Sequence, residues 1–184
     1  ILKSDNENSI KALRDAIGKL LGGRVVPENP PKGESQSNGR AEEAVRTTRG
    51  FTKVLKDQIE RSAKVELGGQ DDVVQWMIRW GAMLPSRFLV GKDNRTSYER
   101  RRGRPCKIPT EKFAEKVWFK QLRGKSEVKD KMETNEWQQG LWLGHARDSN
   151  EILIGSYDGV VRAWAIRKMP REEQWDAKLI KEMR

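Results

Sequence analysis

Residues 152–166 read ILIGSYDGVVRAWAI, and this stretch indicates how the C-terminal part of the chain folds. Asp158-Gly159 lies between two apolar runs and is a strong signal for a tight turn between antiparallel strands. Two further short apolar runs precede it, at 117–119 and 141–143. Several short strands so close together along the chain predict a small β-barrel of the SH3 size over residues 113–170.

Three tryptophans and the single histidine fall within the predicted strands. We expect Trp118, Trp142 and Trp164 to pack in the barrel core, with stacking on nucleic-acid bases as the alternative. His145 is expected to be a barrel residue as well. The residues that follow, 171–184, are polar and predict a tail in which a helix can form.

Before the barrel, apolar residues recur at helical spacing. The spacing predicts helices from about Ser9 to the glycines at 22–23, from about Gly39 to before Gly68, and from Asp71 onward. Pro85 falls within the third of these, and we expect it to kink or end that helix because a prolyl ring does not fit a helix interior.

Composition narrows the class of function. The chain has 184 residues, a formal net charge of +10, one Cys and one His. A single Cys and a single His exclude a disulfide framework, a zinc knuckle and a Ser-His-Asp triad built within one chain. Any metal bound here must therefore be a hard cation held by carboxylates. Separately, no apolar run approaches the roughly 18 residues that a membrane span needs.

The positive charge is concentrated in the middle of the chain. Residues 87–125 contain 13 Lys and Arg against 4 Asp and Glu, and the densest part is residues 100–105, RRRGRP. Such a stretch favours a polyanionic partner, with nucleic acid the first candidate and an acidic membrane the second. A solvated linker is the alternative interpretation of the same charge.

Two carboxylates can be placed where they could share one divalent cation. Asp5 ends a short predicted strand, and Glu42 lies in the first turn of the predicted long helix. Mg²⁺ needs one or two carboxylates together with water and phosphate oxygens. Since 27 acidic residues allow many such pairs, a Glu42 that only favours the helix N-terminus is the alternative.

The surroundings of these carboxylates resemble a known family. Residues 31–42, PKGESQSNGRAE, are similar to the segment before the last catalytic Glu of retroviral and LTR-retrotransposon integrases, and Ser4-Asp5-Asn6 resembles their strand-end motif. The separation of the two motifs is close to that of the family. The helix through Trp76, Trp80 and Leu84, followed by 95–100, RTSYER, is similar to the family's closing helix and Thr-Pro-Tyr-Glu segment.

The resemblance implies a fold and an activity. It implies an α/β chain with a truncated RNase H-like core over 1–98, a basic connector over 99–112, the SH3-like barrel over 113–170 and a tail over 171–184. Asp5 and Glu42 would be the second and third members of an Asp-Asp-Glu triad. In the full-length parent they would hold two Mg²⁺ or Mn²⁺ ions for 3′-end processing and strand transfer.

The same resemblance implies which residues meet DNA, both element ends and target. Arg46 and Arg49 follow Glu42 on one helix face, and Gln36 and Asn38 lie on the loop before it. The basic residues that complete the expected interface are Arg100, Arg101, Arg102, Arg104 and Lys107. Alternatives stay open, because Arg46 could pair with Glu42 or Glu43, and Gln36 and Asn38 could be ordinary loop residues.

Departures from the family limit these expectations. The first catalytic Asp and the N-terminal zinc module would lie upstream of Ile1, and Glu7 stands where the family often has Gly. We therefore expect an N-terminally truncated integrase, inactive alone, whose parent acts as a homo-oligomer in the nucleus without a membrane partner. The alternatives are a non-catalytic nucleic-acid or chromatin-binding module and, less well matched, an RNase H-type nuclease.

Overall fold

The computed structural model describes residues 2–3, 7–29, 39–121 and 137–184. The chain forms two compact units, Ile1–Thr47 and Thr48–Arg184. The structure is a mixture of helix and sheet, and the larger unit contains a small closed barrel of four antiparallel strands. The predicted small barrel is thus confirmed.

The smaller unit contains one helix between two short strands. Strand β1 (Leu2–Lys3) pairs in parallel with β2 (Pro27–Glu28), and helix α1 (Asn8–Leu20) lies between them in sequence. The helix ends at Gly22 and Gly23, whose φ angles of 63° and 76° belong to the left-handed region that glycine adopts most readily. The helix was predicted correctly.

Helix α2 (Gly39–Ala63) begins where it was predicted. It ends at Ala63, four residues before Leu67, the last position that the predicted end before Gly68 permitted. Lys64 ends it with a φ of 52°, and the Glu60 carboxylate then accepts a hydrogen bond of 2.8 Å from the backbone N–H of Leu67. Of the predicted apolar face, Leu55 and Ile59 are buried, whereas Val45 is exposed. Only the C-terminal half of α2 therefore contributes to the core.

Helix α3 (Asp72–Phe88) continues past Pro85, so the expected end at that residue is wrong by three positions. The missing N–H of Pro85 falls in the last turn, and the carbonyl of Pro85 accepts the hydrogen bond that closes the helix at Leu89. Gly81 lets α3 approach α2 closely, because a Cβ there would lie 2.8 Å from the Thr52 hydroxyl.

A short helix, α4 (Ser97–Arg102), occupies the start of the segment that was predicted to be an irregular basic connector. Thr96 Oγ1 accepts from the N–H of Glu99 at 3.1 Å, and the Glu99 carboxylate accepts from the N–H of Thr96 at 2.6 Å. This reciprocal capping box begins the helix, and Gly103, with a φ of 70°, ends it. The segment that resembles Thr-Pro-Tyr-Glu is therefore a helix start.

The barrel is built from β3 (Lys116–Gln121), β4 (Gln138–His145), β5 (Ile152–Ser156) and β6 (Gly159–Lys168). Each strand pairs antiparallel with the next, and β6 pairs with β3 to close the barrel. The predicted hairpin joins β5 to β6, with Ser156 paired to Gly159 across a two-residue turn.

One core joins the barrel to the helices of the larger unit. Trp142 on β4 is fully buried and meets Trp80 of α3 edge to face, with ring centroids 5.1 Å apart. Gly144 makes this approach possible, because a Cβ there would lie 2.5 Å from the Trp80 ring. His145 lies on β4 and is thus a barrel residue, as predicted; it is also buried, with its ring nitrogens 2.8 Å and 2.7 Å from the carbonyl oxygens of Asn150 and Pro109.

The other two tryptophans differ from expectation. Trp118 is half-buried, and Trp164 is 73% exposed, so the placement of Trp164 in the core is wrong. The pairing of β3 with β6 skips Trp164, since Lys120 faces Ala165 and Gln121 faces Ala163. This β-bulge breaks the alternation on which the prediction relied.

Residues 171–184 pack onto the larger unit. Asp176 caps helix α5 (Ala177–Glu182) by accepting a hydrogen bond of 3.0 Å from the N–H of Leu179. Leu179, Ile180 and Met183 are buried in the core. These residues show that the segment predicted to be a polar tail holds part of the hydrophobic core.

Candidate nucleic-acid interface

Part of the predicted metal and DNA site lies outside the described residues, namely Asp5, Gln36 and Asn38. Glu42 and Arg46 lie in the N-terminal turns of α2 and are exposed, and Arg49 follows on the same helix and is exposed too. Neither arginine forms a salt bridge with a residue that the structure describes. The alternative in which Arg46 pairs with Glu42 or Glu43 is thus not seen.

The geometry of a metal site at Asp5 and Glu42 is untested, because only one of the two carboxylates is described. Within residues 2–3, 7–29, 39–121 and 137–184, no group of three or more His, Cys, Asp and Glu side chains is placed to hold a metal ion. A divalent ion at Asp5 and Glu42 therefore remains an expectation of the sequence resemblance.

The basic segment divides into residues with different surroundings. Arg100 donates two hydrogen bonds to the Asp93 carboxylate, from Nε to Oδ2 at 2.9 Å and from Nη2 to Oδ1 at 2.5 Å. The hydrogen bond from Arg100 holds the pKa of the Asp93 carboxyl well below its usual range. Arg100 thereby fastens the turn at 91–95 to α4, and its charge is already compensated.

Arg101, Arg102 and Arg104, in contrast, line an open cleft of about 850 Å³ in the larger unit. Helix α3 forms one wall of this arginine cleft, α4 and the residues after it form another, and the loop between β4 and β5 completes it. The arginines that line it are Arg79, Arg87, Arg101, Arg102, Arg104 and Arg147. Lys107 is exposed and does not belong to this set.

Sequence reasoning did not single out Arg79, Arg87 or Arg147. Arg79 and Arg87 are eight residues apart on α3, so they recur on nearly the same helix face. That spacing was available from the sequence. Arg147 follows β4 directly, and only the closure of the barrel and its packing against α3 bring it to the same cleft.

The charge of the arginine cleft is almost uncompensated. Asp148 is the one carboxylate among the lining residues. None of the six arginines forms a salt bridge within the described part of the chain, although Arg79 lies 4.9 Å from the centroid of the Trp76 ring. Like charges concentrated on concave walls raise the local positive potential and attract polyanions.

Burial distinguishes one arginine from the rest. Arg87 is 6% exposed, and its Nη1 atom is buried without a hydrogen-bond partner among the described residues. Its guanidinium carbon lies 6.0 Å from the centroid of the Tyr98 ring, and Tyr98 also lines the cleft. The other five arginines are exposed. The cleft thus combines five exposed arginines with one buried arginine.

Among the helices of the described residues, none combines the length and the apolar character that crossing a membrane requires.

Comparison with known proteins gives no relative from which to transfer a function. The sequence matches no protein-family model, and no curated protein or solved structure is significantly similar to the chain.

Proposed function

We propose that this chain binds DNA through the arginine cleft and serves DNA integration as part of a retrotransposon-type integrase. The observation that supports it best is the arginine cleft itself. Six arginines and one carboxylate line it, and none of the six forms a salt bridge with a described residue. Such a surface suits the phosphate backbone, whose charge is dense and independent of base sequence.

The catalytic part of the proposal rests on the sequence resemblance. An RNase H-like core would place Asp5 and Glu42 around Mg²⁺ or Mn²⁺, and an upstream Asp would complete the triad in a longer parent. Two such ions would activate a 3′-hydroxyl and stabilise the leaving oxygen of the target phosphodiester. Homo-oligomeric assembly and action in the nucleus belong to the same proposal.

One observation favours a second candidate, a non-catalytic nucleic-acid or chromatin-binding module. The arginine cleft is built wholly from residues 79–150, and neither Asp5 nor Glu42 belongs to it. DNA binding at the cleft therefore needs no metal. Under this alternative the chain would bind DNA equally well with Mg²⁺ and with a chelator.

The test of DNA binding is a salt titration with matched charge removals. Arg101→Gln with Arg102→Gln should weaken binding to a duplex of arbitrary sequence about tenfold and reduce the salt slope by about 2, because each phosphate contact contributes roughly 0.9 to that slope. The control is Lys64→Gln with Lys178→Gln, which removes the same charge at exposed positions outside the cleft. An equal loss in both double variants would show that net charge alone attracts DNA.

A separate titration addresses the metal. If Asp5 and Glu42 share an ion, Mn²⁺ should bind the unmodified chain and be lost in Asp5→Asn and in Glu42→Gln. Glu43→Gln, the adjacent carboxylate, is the control and should retain the ion. Mn²⁺ binding that survives both substitutions would remove the carboxylates from their proposed role and leave the binding module as the better description.

A further inference from the structure

The buried arginine of the cleft lacks the partner that a buried charge normally has. Arg87 keeps 6% of its surface exposed, and in the part of the chain that the structure describes its Nη1 atom has no hydrogen-bond partner and no carboxylate pairs with it. Burying a charged donor without a partner destabilises a folded protein. Such groups in native structures have an explanation outside the ordinary packing, and a bound ligand is one.

Burial and the neighbours of Arg87 restrict where its guanidinium can lie. The side chain belongs to the last turn of α3, where the helix dipole favours a cation, and its guanidinium carbon is 6.0 Å from the centroid of the Tyr98 ring. Tyr98 is in turn placed by the capping box that begins α4. A guanidinium restricted in this way loses little further freedom when an anion arrives.

We propose that Arg87 and Tyr98 form a phosphate-binding subsite of the arginine cleft, which takes one backbone phosphate of a bound nucleic acid. The subsite rests on the proposed DNA binding and names the contact that holds the ligand. When the phosphate is bound, it compensates the charge of Arg87 in surroundings where water does not screen it.

The density of charge favours nucleic acid over an acidic peptide. Duplex DNA carries one negative charge per roughly 1.7 Å of its axis. An extended peptide advances about 3.3 Å per residue, and its successive side chains point to opposite sides. Six arginines and one carboxylate line the cleft, so the polyanion with the denser charge, nucleic acid, complements it better.

The exposed and buried arginines should then affect binding in different ways. Arg101, Arg102 and their exposed neighbours attract the polyanion over a distance, so their loss lowers the association rate and the salt dependence. Arg87 acts only at contact, so its loss mainly raises the dissociation rate and reduces the salt slope by roughly 0.9, the contribution of one phosphate contact.

The test uses Arg87→Met in the full chain, because methionine fills a similar volume without the charge. Thermal stability without ligand should be unchanged or higher, since an unpaired buried charge is replaced by an apolar side chain. Affinity for a short DNA duplex should fall about tenfold or more, and the rise in Tm that inorganic tripolyphosphate gives the unmodified chain should disappear. The control is Arg162→Met, which removes an exposed arginine of the barrel outside the cleft. It should change neither the DNA affinity nor the rise in Tm with tripolyphosphate by as much as twofold.

Arg87→Lys keeps the charge and loses the planar fork, so it should retain the salt slope and bind DNA less tightly than the unmodified chain. A lower Tm for Arg87→Met with unchanged DNA affinity would overturn the subsite and make Arg87 a structural residue. Unchanged DNA affinity in both Arg87→Met and Arg87→Lys would likewise overturn the subsite and would leave the proposed function intact.

Two further outcomes separate the subsite from the proposed function. Tripolyphosphate binding that depends on Arg87 in a chain that does not bind DNA would support the subsite and refute the proposed function. Polyglutamate that binds as tightly as DNA, and does so through Arg87, would overturn the phosphate assignment in favour of an acidic protein partner.

Discussion

Residues 1–47 and 48–184 differ in how their side chains are packed. The larger region has a hydrophobic core that joins α2, α3 and α5 to the barrel. Among the described residues of the smaller region none is buried, and Leu20 of α1 is 86% exposed. The integrase-like motifs fall mainly in the smaller region, whereas the arginine cleft lies in the larger one. The proposed catalytic site and the proposed DNA-binding cleft therefore rest on separate parts of the chain, and each proposal can be refuted separately.

The largest expected effect contrasts the two regions directly. Trp142→Ala should lower the free energy of unfolding of the larger region by about 3–5 kcal/mol, because it removes a fully buried indole from the core. Leu20→Ala in the smaller region should cost less than about 0.5 kcal/mol. All seven tryptophans lie within residues 76–175, so tryptophan fluorescence in a urea titration follows the larger region alone.

Hydrogen exchange measures the local stability of α1, because this helix contains no tryptophan and fluorescence does not report on it. Low protection of α1 amides in both the unmodified chain and Leu20→Ala would sustain the contrast. A large loss of protection in Leu20→Ala would mean that Leu20 packs in a core and that the two regions are stabilised alike.

A second comparison lies within the larger region, between two glycines with positive φ. Gly144 has a φ of 105° with the Trp80 ring where a Cβ would be, whereas Gly159 has a φ of 124° and open space around it. Gly159→Ala should cost about 1–2 kcal/mol of backbone strain. Gly144→Ala should cost about 1–3 kcal/mol more because Trp80 must also move. Equal costs by urea denaturation would show that the Trp80 contact adapts freely.

The smallest effect concerns the ion pair between Asp71 and Lys181, which joins the loop before α3 to α5 at 2.8 Å. The hydrogen bond from Lys181 lowers the pKa of Asp71 below its ordinary value. The folded state therefore gains stability above the unfolded pKa of about 3.9, and loses it as the pH falls through the lower folded value. Lys181→Met should reduce this acid-dependent loss by less than about 1 kcal/mol.

Denaturation of the two proteins between neutral pH and pH 2 measures this difference. Parallel pH profiles for the unmodified chain and Lys181→Met would show that the pair contributes nothing to stability. In that case the burial of Leu179, Ile180 and Met183 would account for most of the attachment of α5.

Local signals in the sequence were enough for much of the fold. The turn at Asp158-Gly159 and the apolar runs around it identified the barrel, and helical spacing found α1, α2 and α3. The errors fall where tertiary context overrides a local rule. Trp164 is exposed because a bulge changes its register, and α3 continues for three residues beyond Pro85, whose carbonyl accepts the hydrogen bond from Leu89.

The candidate interface could be predicted only in part. The run at 100–104 drew attention to the basic segment, yet Arg100 is paired with Asp93 and only its neighbours face the cleft. Arg87 was counted in the charge of the segment and not recognised, because its burial follows from the packing of α3 against α4. Arg147 is 43 residues from Arg104 in sequence, and no local pattern relates the two.

The position of α5 has a consequence for how the chain is made. Met183 lies against Gly155 of the barrel, and Lys181 reaches Asp71 across 110 residues of sequence. During synthesis the ribosome therefore releases the barrel strands before the residues that complete their core have emerged. Until then the apolar surface that α5 covers is open to solvent, and exposed apolar surface of this kind favours aggregation of the incomplete chain.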